Sequence, residues 1–444
     1  MAGASADLGR PMRQLARTII SMSMTPWLKA AGRASAAALL IFLVGAATAR
    51  PAHAQSLPSE PIVFGDGHVT LGGDAAVTFG PQDPGFFNYT DYEHSALRML
   101  RADLTAVFKA DRHISFLADM RGEISMDSEG FSDAAAPRAY ALYARIRPWA
   151  DRAFDIQIGR VPPTFGAFAR RTYASDNFLI GYPLAYQYLT SLRADAVPAN
   201  ADELLRMRGR GWLANYSIGD QNAAHGVPLV SAFTWDTGVQ VHGATERFDA
   251  TGAVTAGTLS NPLFHDDNGG KQFAGRVTFR PVTGLVVGGS AARGPFVSTV
   301  AARGAVGDGH EGGFTQTAWG ADAEYSRGYY LVRFETIVSD WTLPIVRQPD
   351  LELPLRAIST SIEGRYKLRP GLYAAARFDH LGFSEISGTA ATATWDAPLS
   401  RLEVGGGYSI QRNLVLKLSY QYNSRDGGRL RTLNLVAAQL LFWF

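Results

Sequence analysis

The chain contains no cysteine, so it has no disulfide framework, no thiolate nucleophile and no cysteine metal site. Its chemistry must rest on arginines and carboxylates. Read at a spacing of two, charged residues in successive segments share one face. The basic set is Arg101, Arg121, Arg145, Arg147, Arg276, Arg280, Arg333, Arg365, Lys367, Arg377, Arg401 and Lys417. The acidic set is Asp103, Asp119, Glu123, Asp155, Asp322, Glu324, Glu335, Glu363, Asp379 and Glu403. The two sets nearly balance, so any selectivity depends on arrangement rather than on sum. Pairs across neighbouring segments would brace a wall, and the remainder would orient a charged solute. Arginine suits carboxylate and phosphate ligands because its planar fork donates two parallel hydrogen bonds.

Other constellations carry less. Asp379, His380 and Ser384 lie close in sequence, but adjacent strand residues face opposite ways, so Asp379 is poorly placed to orient His380. Asp266, Asp267 and Asn268 offer oxygen ligands, and such a run is more often a solvated turn than a calcium site. Gly288-Gly289 and Gly405-Gly406-Gly407 sit inside strand patterns, without the strand–loop–helix context of a phosphate cradle. No cofactor and no metal are expected.

The elements that must position the charges are strands. In one segment Leu414, Leu416, Leu418, Tyr420 and Tyr422 alternate with Val415, Lys417, Ser419, Gln421 and Asn423. In another Ile358, Thr360, Ile362 and Tyr366 alternate with Ser359, Ser361, Glu363, Arg365 and Lys367. A period of two is that of a β-strand. Sixteen such segments are expected, near 67–79, 94–109, 112–125, 138–148, 153–160, 228–242, 246–258, 271–280, 284–294, 314–325, 329–340, 355–368, 372–383, 398–410, 413–423 and 432–444. Their connections alternate long and short. The short ones include Ala110-Asp111, Ser326-Arg327-Gly328, Arg369-Pro370-Gly371 and Gln411-Arg412. Strands of this length with two-sided loop asymmetry describe an all-β transmembrane antiparallel up-and-down barrel. An Arg or Lys on the lipid face costs roughly 2–4 kcal/mol at the bilayer midplane, so the charged rows must face the lumen. A lumen of this width is not filled by wall side chains alone.

Residues 1–54 read as a signal peptide: Arg10, Arg13, Arg17, Lys29 and Arg33 precede the apolar stretch 36–49, and Ala52-His53-Ala54 fits a cleavage site before Gln55. The whole chain has 42 basic and 40 acidic residues. Removing the leader's six Lys/Arg and one Asp leaves 36 and 39, a net charge of −3. The basicity belongs to the leader, and no nucleic-acid partner is expected. Residues 55–444 then form the barrel.

Segment 161–227 is too long for an ordinary connection and too apolar for solvent, with Phe165, Phe168, Phe178, Leu184, Tyr186 and Leu189. It is the third long loop of the chain and is expected to pack against the barrel rather than lie in solvent. The residues expected to line the pore and this segment are Arg121, Arg145, Arg147, Arg160, Arg170, Arg171, Arg193, Arg365, Lys367, Arg377, Glu363 and Asp379.

Two stretches carry a family resemblance. The closing stretch Thr432–Phe444, with apolar residues at every second position and a terminal phenylalanine, resembles the last strand of Gram-negative outer-membrane barrels. The junction Gln157-Ile158-Gly159-Arg160-Val161-Pro162-Pro163-Thr164-Phe165-Gly166 resembles the phosphate-selective-porin-like group, where a strand ending in Gly-Arg leads into a Pro-Phe-Gly turn. The resemblance implies an outer-membrane porin, a passive channel for small hydrophilic solutes, anionic ones among them, with the third long loop, 161–227, folded inward as a constriction loop. It also implies outer-membrane lipid around the barrel, a homotrimer, and delivery by the barrel-assembly machinery through the strand ending at Phe444. The alternatives are an outer-membrane enzyme, or a receptor or adhesin, built on a barrel.

Overall fold

The alternating segments become strands because each can place one row against acyl chains and the other against a packed interior. The computed structural model describes residues 58, 60–89, 95–127, 130–134 and 137–444; the expected signal peptide lies outside them. Sixteen strands close one antiparallel barrel: β1 Val69–Phe79, β2 Met99–Lys109, β3 Ile114–Asp127, β4 Arg138–Ile146, β5 Phe154–Val161, β6 Asp236–Ala244, β7 Phe248–Thr255, β8 Gln272–Phe279, β9 Leu285–Pro295, β10 Thr315–Arg327, β11 Tyr330–Trp341, β12 Leu355–Arg369, β13 Leu372–Phe383, β14 Leu399–Gln411, β15 Leu414–Arg425 and β16 Thr432–Trp443. No helix among the described residues is long and apolar enough to cross a membrane.

Each strand pairs with its sequence neighbour, and β16 returns to β1 with Ala75 opposite Phe442 and Val77 opposite Leu440. The seam is fastened by reciprocal backbone hydrogen bonds between Gly73 and Phe444, at 3.0 and 3.1 Å. A closed barrel has no unpaired edge, which is what a membrane-spanning sheet requires. The faces sort as the charges demand. Val332, Phe334, Ile358, Ile362, Leu418 and Val436 are exposed on the outside, while Arg121, Glu363, Arg377, Asp379 and Arg401 are buried inside.

The largest departure from the sequence reading is at β6. The run 228–235 looks like the start of a strand because it is apolar, yet β6 begins only at Asp236. Leu229, Val230, Ala232 and Phe233 are instead buried within the barrel. Val230 N–H donates to the Ala185 carbonyl and Ser231 N–H to the Leu259 carbonyl. The infolded segment therefore runs 162–235, longer than 161–227. β2 also starts at Met99 rather than near 94. Elsewhere the strand ends agree within a few residues.

The inward row of β16 is unusually apolar for a water-facing row, and the fold supplies the reason. Leu435 and Ala437 pack against Ile180, and Leu441 packs against Ala174. The infolded segment covers them.

Candidate functional site

The entry of the chain into the lumen depends on two glycines. Gly159, in β5, has φ +130°, and a Cβ there would lie 2.3 Å from the Leu142 carbonyl oxygen on β4. Gly166 has φ +77°, and its Cβ would lie 2.3 Å from the Tyr186 hydroxyl. L-residues avoid such backbone, so these positions let the segment turn inward against the wall. Beyond them it forms short helices α1 Leu184–Gln187 and α2 Ala201–Arg206, the latter capped where the Asn200 side chain accepts from Glu203 N–H.

The wall holds this segment by its backbone. Arg377 on β13 donates to the Gly181 carbonyl at 2.8 Å, and Glu403 on β14 accepts from Gly181 N–H at 3.0 Å. Arg401 donates to the carbonyls of Tyr182 and Phe87. Lys417 donates to the carbonyls of Ala174 and Asn177, at 2.6 and 2.7 Å. Asp74 accepts from Ser175 N–H, and Arg101 donates to the Thr172 carbonyl and Tyr182 hydroxyl. Glu335 accepts both Ala167 N–H and the Tyr186 hydroxyl. A loop buried in a lumen has backbone groups that no sheet satisfies. Here the inward charges satisfy many of them.

The same charges also pair with one another across strands. Arg101 meets Glu123, Arg121 meets Asp103, Arg145 meets Asp155, and Arg276 meets Asp322. Arg377 is shared among Glu363, Asp379 and Glu403.

At the long-loop end the segment merges with the loops. Phe165, Tyr186, Leu204 and Val230 join one apolar core with Phe296, Trp341, Leu355, Leu381 and Trp395. Asp396 ties the connection 384–398 to the segment by accepting from Ser191 N–H at 2.8 Å and Gly209 N–H at 2.6 Å. Asp202 accepts from the N–H and hydroxyl of Thr389, both at 2.7 Å. Two cavities between segment and wall are small. One of about 30 Å³ lies among Arg171, Glu324, Arg333, Glu335 and Arg377. Another of about 20 Å³ lies among Arg101, Leu179, Tyr182 and Gln439.

The fold has solved counterparts. The Salmonella typhi OmpF, solved with daunomycin, superposes with a TM-score of 0.51 over 86% of this chain and 100% of that one, at 12% identity. The fold is a porin-type barrel. OmpT of Vibrio cholerae gives a TM-score of 0.49 at 10% identity, covering 86% and 100% of the two chains. An anion-selective porin from Comamonas acidovorans gives 0.48 at 10% identity, covering 85% and 99%. No protein-family model matches the chain, and no curated protein matches it in sequence.

In this porin-type barrel the residues singled out by sequence take different places. Arg121 is buried on Asp103 with its guanidinium 3.6 Å from the Tyr140 ring centroid. Arg160 donates to the Trp235 carbonyl, where the segment rejoins the wall. Arg170 is exposed and donates to the Pro163 carbonyl, while Arg171 reaches Glu324 at 2.8 Å. Arg365 lies over Phe178, 4.3 Å from the ring centroid, and Lys367 is exposed further toward the short-turn end. Glu363, Arg377 and Asp379 form the buried network beneath Gly181.

Two arginines expected in the pore lie elsewhere. Arg147 is in the turn beyond β4 and exposed, because β4 ends at Ile146. Arg193 is buried inside the segment, where it grips Asp195 and donates to the carbonyls of Ala214 and Asn222. His380 faces outward and bonds the Ser400 hydroxyl, while Asp379 is buried inward, so the two do not cooperate.

Sequence reasoning does not pick out Glu335, Arg401, Glu403 and Lys417 as anchors of the segment. Each stands in the inward sets, and the period-two pattern gives its face. Nothing in that pattern shows a partner 168 residues away for Glu335 or 243 for Lys417.

Proposed function

We propose that the chain is a passive diffusion channel of the Gram-negative outer membrane for small hydrophilic solutes, with a preference for anions, and is not an enzyme. The supporting observation is the closed barrel whose inward charges grip an infolded segment at mid-lumen. Arg170 and Arg171 lie on the segment's short-turn side, where a solute coming from the periplasm would meet them. Two cavities beside the segment hold 20–30 Å³, space for a water or two, so a solute of sugar or amino-acid size does not pass at these two points.

The barrel works as a homotrimer surrounded by outer-membrane lipid, inserted by the barrel-assembly machinery through β16. The driving force is the concentration gradient. The test is planar-bilayer conductance with reversal potentials in a salt gradient. The expected result is discrete openings with anion preference, reduced when Arg170 and Arg171 are changed to Gln. A protein that inserts but never conducts refutes the channel, and unchanged permeability ratios in the double variant refute the role of the two arginines.

A further inference from the structure

Most inward arginines have their charge answered. Arg101, Arg121, Arg145, Arg276 and Arg377 each meet a carboxylate within 3.3 Å. Arg365 does not. It has no carboxylate or carbonyl partner among the described residues, and its Nε is shielded from solvent without a hydrogen-bond partner. What holds it is Phe178 of the infolded segment. The Arg365 guanidinium sits 4.3 Å from that ring's centroid and the Arg333 guanidinium 4.4 Å. Phe178 is held on both backbone and ring: the Tyr373 hydroxyl donates to its backbone carbonyl at 2.9 Å, and the Tyr373 ring meets its ring edge-on with centroids 6.0 Å apart.

Two guanidiniums gathered on one ring repel unless anions compensate. The nearby acids are largely committed. Glu324 is divided between Arg171 and Arg333, and Glu363 between Arg333 and Arg377. Glu335, which lines the same cavity, accepts from Ala167 N–H and the Tyr186 hydroxyl, and Arg377 is further answered by Asp379 and Glu403. Among the described residues none of these carboxylates forms an ion pair with Arg365. Arg171, Arg333 and Arg365 keep partial access to the lumen, and Lys367, two residues along the same face of β12, is exposed at the short-turn end.

We infer that Arg365 is an oxyanion-capture site at the inner side of the segment. Phe178 orients its fork, Arg333 adds field, and Lys367 draws the anion inward. The ligand class is a small molecule bearing a carboxylate or a tetrahedral oxyanion, bound through paired oxygens to the free guanidinium edge. The inference rests on the reading of the barrel as a solute channel, but binding is measurable without conduction.

The experiment is equilibrium binding of radiolabelled sulfate to the purified, detergent-solubilised barrel at low ionic strength, with acetate and glycerol as competitors. Wild type is expected to bind sulfate saturably, displaced by acetate and not by glycerol. Arg365→Gln should weaken binding about tenfold or more, as loss of charge-assisted hydrogen bonds does. Arg365→Lys should recover only part of it, because an ammonium lacks the fork. Lys367→Gln should weaken binding by a smaller factor that shrinks with added salt. Undiminished sulfate binding by an Arg365→Gln barrel that keeps wild-type heat-modifiable mobility overturns the site, as does displacement by glycerol. Absent conductance with intact Arg365-dependent binding refutes the channel reading and leaves the site standing.

Discussion

The Arg377 guanidinium donates to the carbonyl of Gly181 at 2.8 Å while the same side chain answers Glu363, Asp379 and Glu403. One wall residue thus bridges three buried acids and pins the segment. Removing one partner of a buried charge network leaves the others uncompensated, typically at a cost of about 3–5 kcal/mol. Arg377→Ala is expected to lower the thermal unfolding midpoint strongly, whereas Arg377→Lys, retaining charge but not the fork, should lower it less. Heat-modifiable gel mobility across a temperature series reads both. An Arg377→Ala barrel as heat-resistant as wild type shows that the network does not hold the fold.

Gly166 offers a sharper probe of the segment itself. With φ at +77° and the Tyr186 hydroxyl 2.3 Å from its would-be Cβ, Gly166→Ala strains the backbone and displaces Tyr186 from Glu335. The backbone part costs roughly 1–2 kcal/mol, and the lost hydrogen bond about 1 kcal/mol more. Tyr186→Phe removes only the second part. Hydrogen–deuterium exchange over residues 165–190 should rise clearly in Gly166→Ala and slightly in Tyr186→Phe, with strand amides unchanged. Equal exchange in all three proteins refutes the turn's role. If opening of the segment gates the channel, Gly166→Ala should also open more often in bilayers.

These two sites mark what is legible in the sequence. A two-residue period reports face and element, and on that pattern alone Arg377 belongs inside the barrel on β13. The period reports nothing about which loop carbonyl it meets, because Gly181 is 196 residues away. The Leu229–Phe233 stretch reads as a strand for a related reason. A short apolar run has the same composition whether it is a strand against lipid or a loop against the inner wall, and only tertiary packing separates them. Arg193 misleads because its charge suggests a water-facing role, while its carbonyl partners Ala214 and Asn222 come from the same segment, folded back on itself.

Acidity should act through Asp396, which lies outside the strands in the connection before β14. Burial pushes its carboxyl above the ordinary range, outweighing the N–H donors of Gly209, Ala397 and Ser191 and the nearby Arg425. A carboxyl whose folded value is raised binds its proton more tightly in the folded than in the unfolded state. Its contribution to stability is therefore present in full below the unfolded value, near 3.8, and is lost as pH rises through the folded value. Asp396→Asn cannot titrate. The difference in unfolding midpoint between wild type and Asp396→Asn should change across that window in wild type's disfavour as pH rises. A pH-independent difference removes Asp396 from the pH response.

The seam between β1 and β16 separates two roles of Phe444. Its backbone makes both hydrogen bonds to Gly73, and its ring covers Gly73 so closely that a Cβ there would lie 2.8 Å from Phe444 Cε1. The ring also stacks on Phe442, with centroids 6.0 Å apart. If Phe444 matters only for sealing, then deleting it and changing Gly73 to Val should have the same consequence, a less heat-resistant barrel at normal abundance. If it is also read during insertion, the two diverge. Gly73→Val keeps the terminal aromatic residue and should reach the outer membrane in near-normal amount, with a lower unfolding midpoint from the clash. Deletion of Phe444 should reduce the amount of folded barrel in the membrane several-fold, because the strand end presented to the assembly machinery is changed before any seam forms. Unheated gel mobility of membrane fractions measures abundance, and a temperature series measures stability. Normal abundance of the deletion variant refutes a recognition role for Phe444 and confines it to the seam with Gly73.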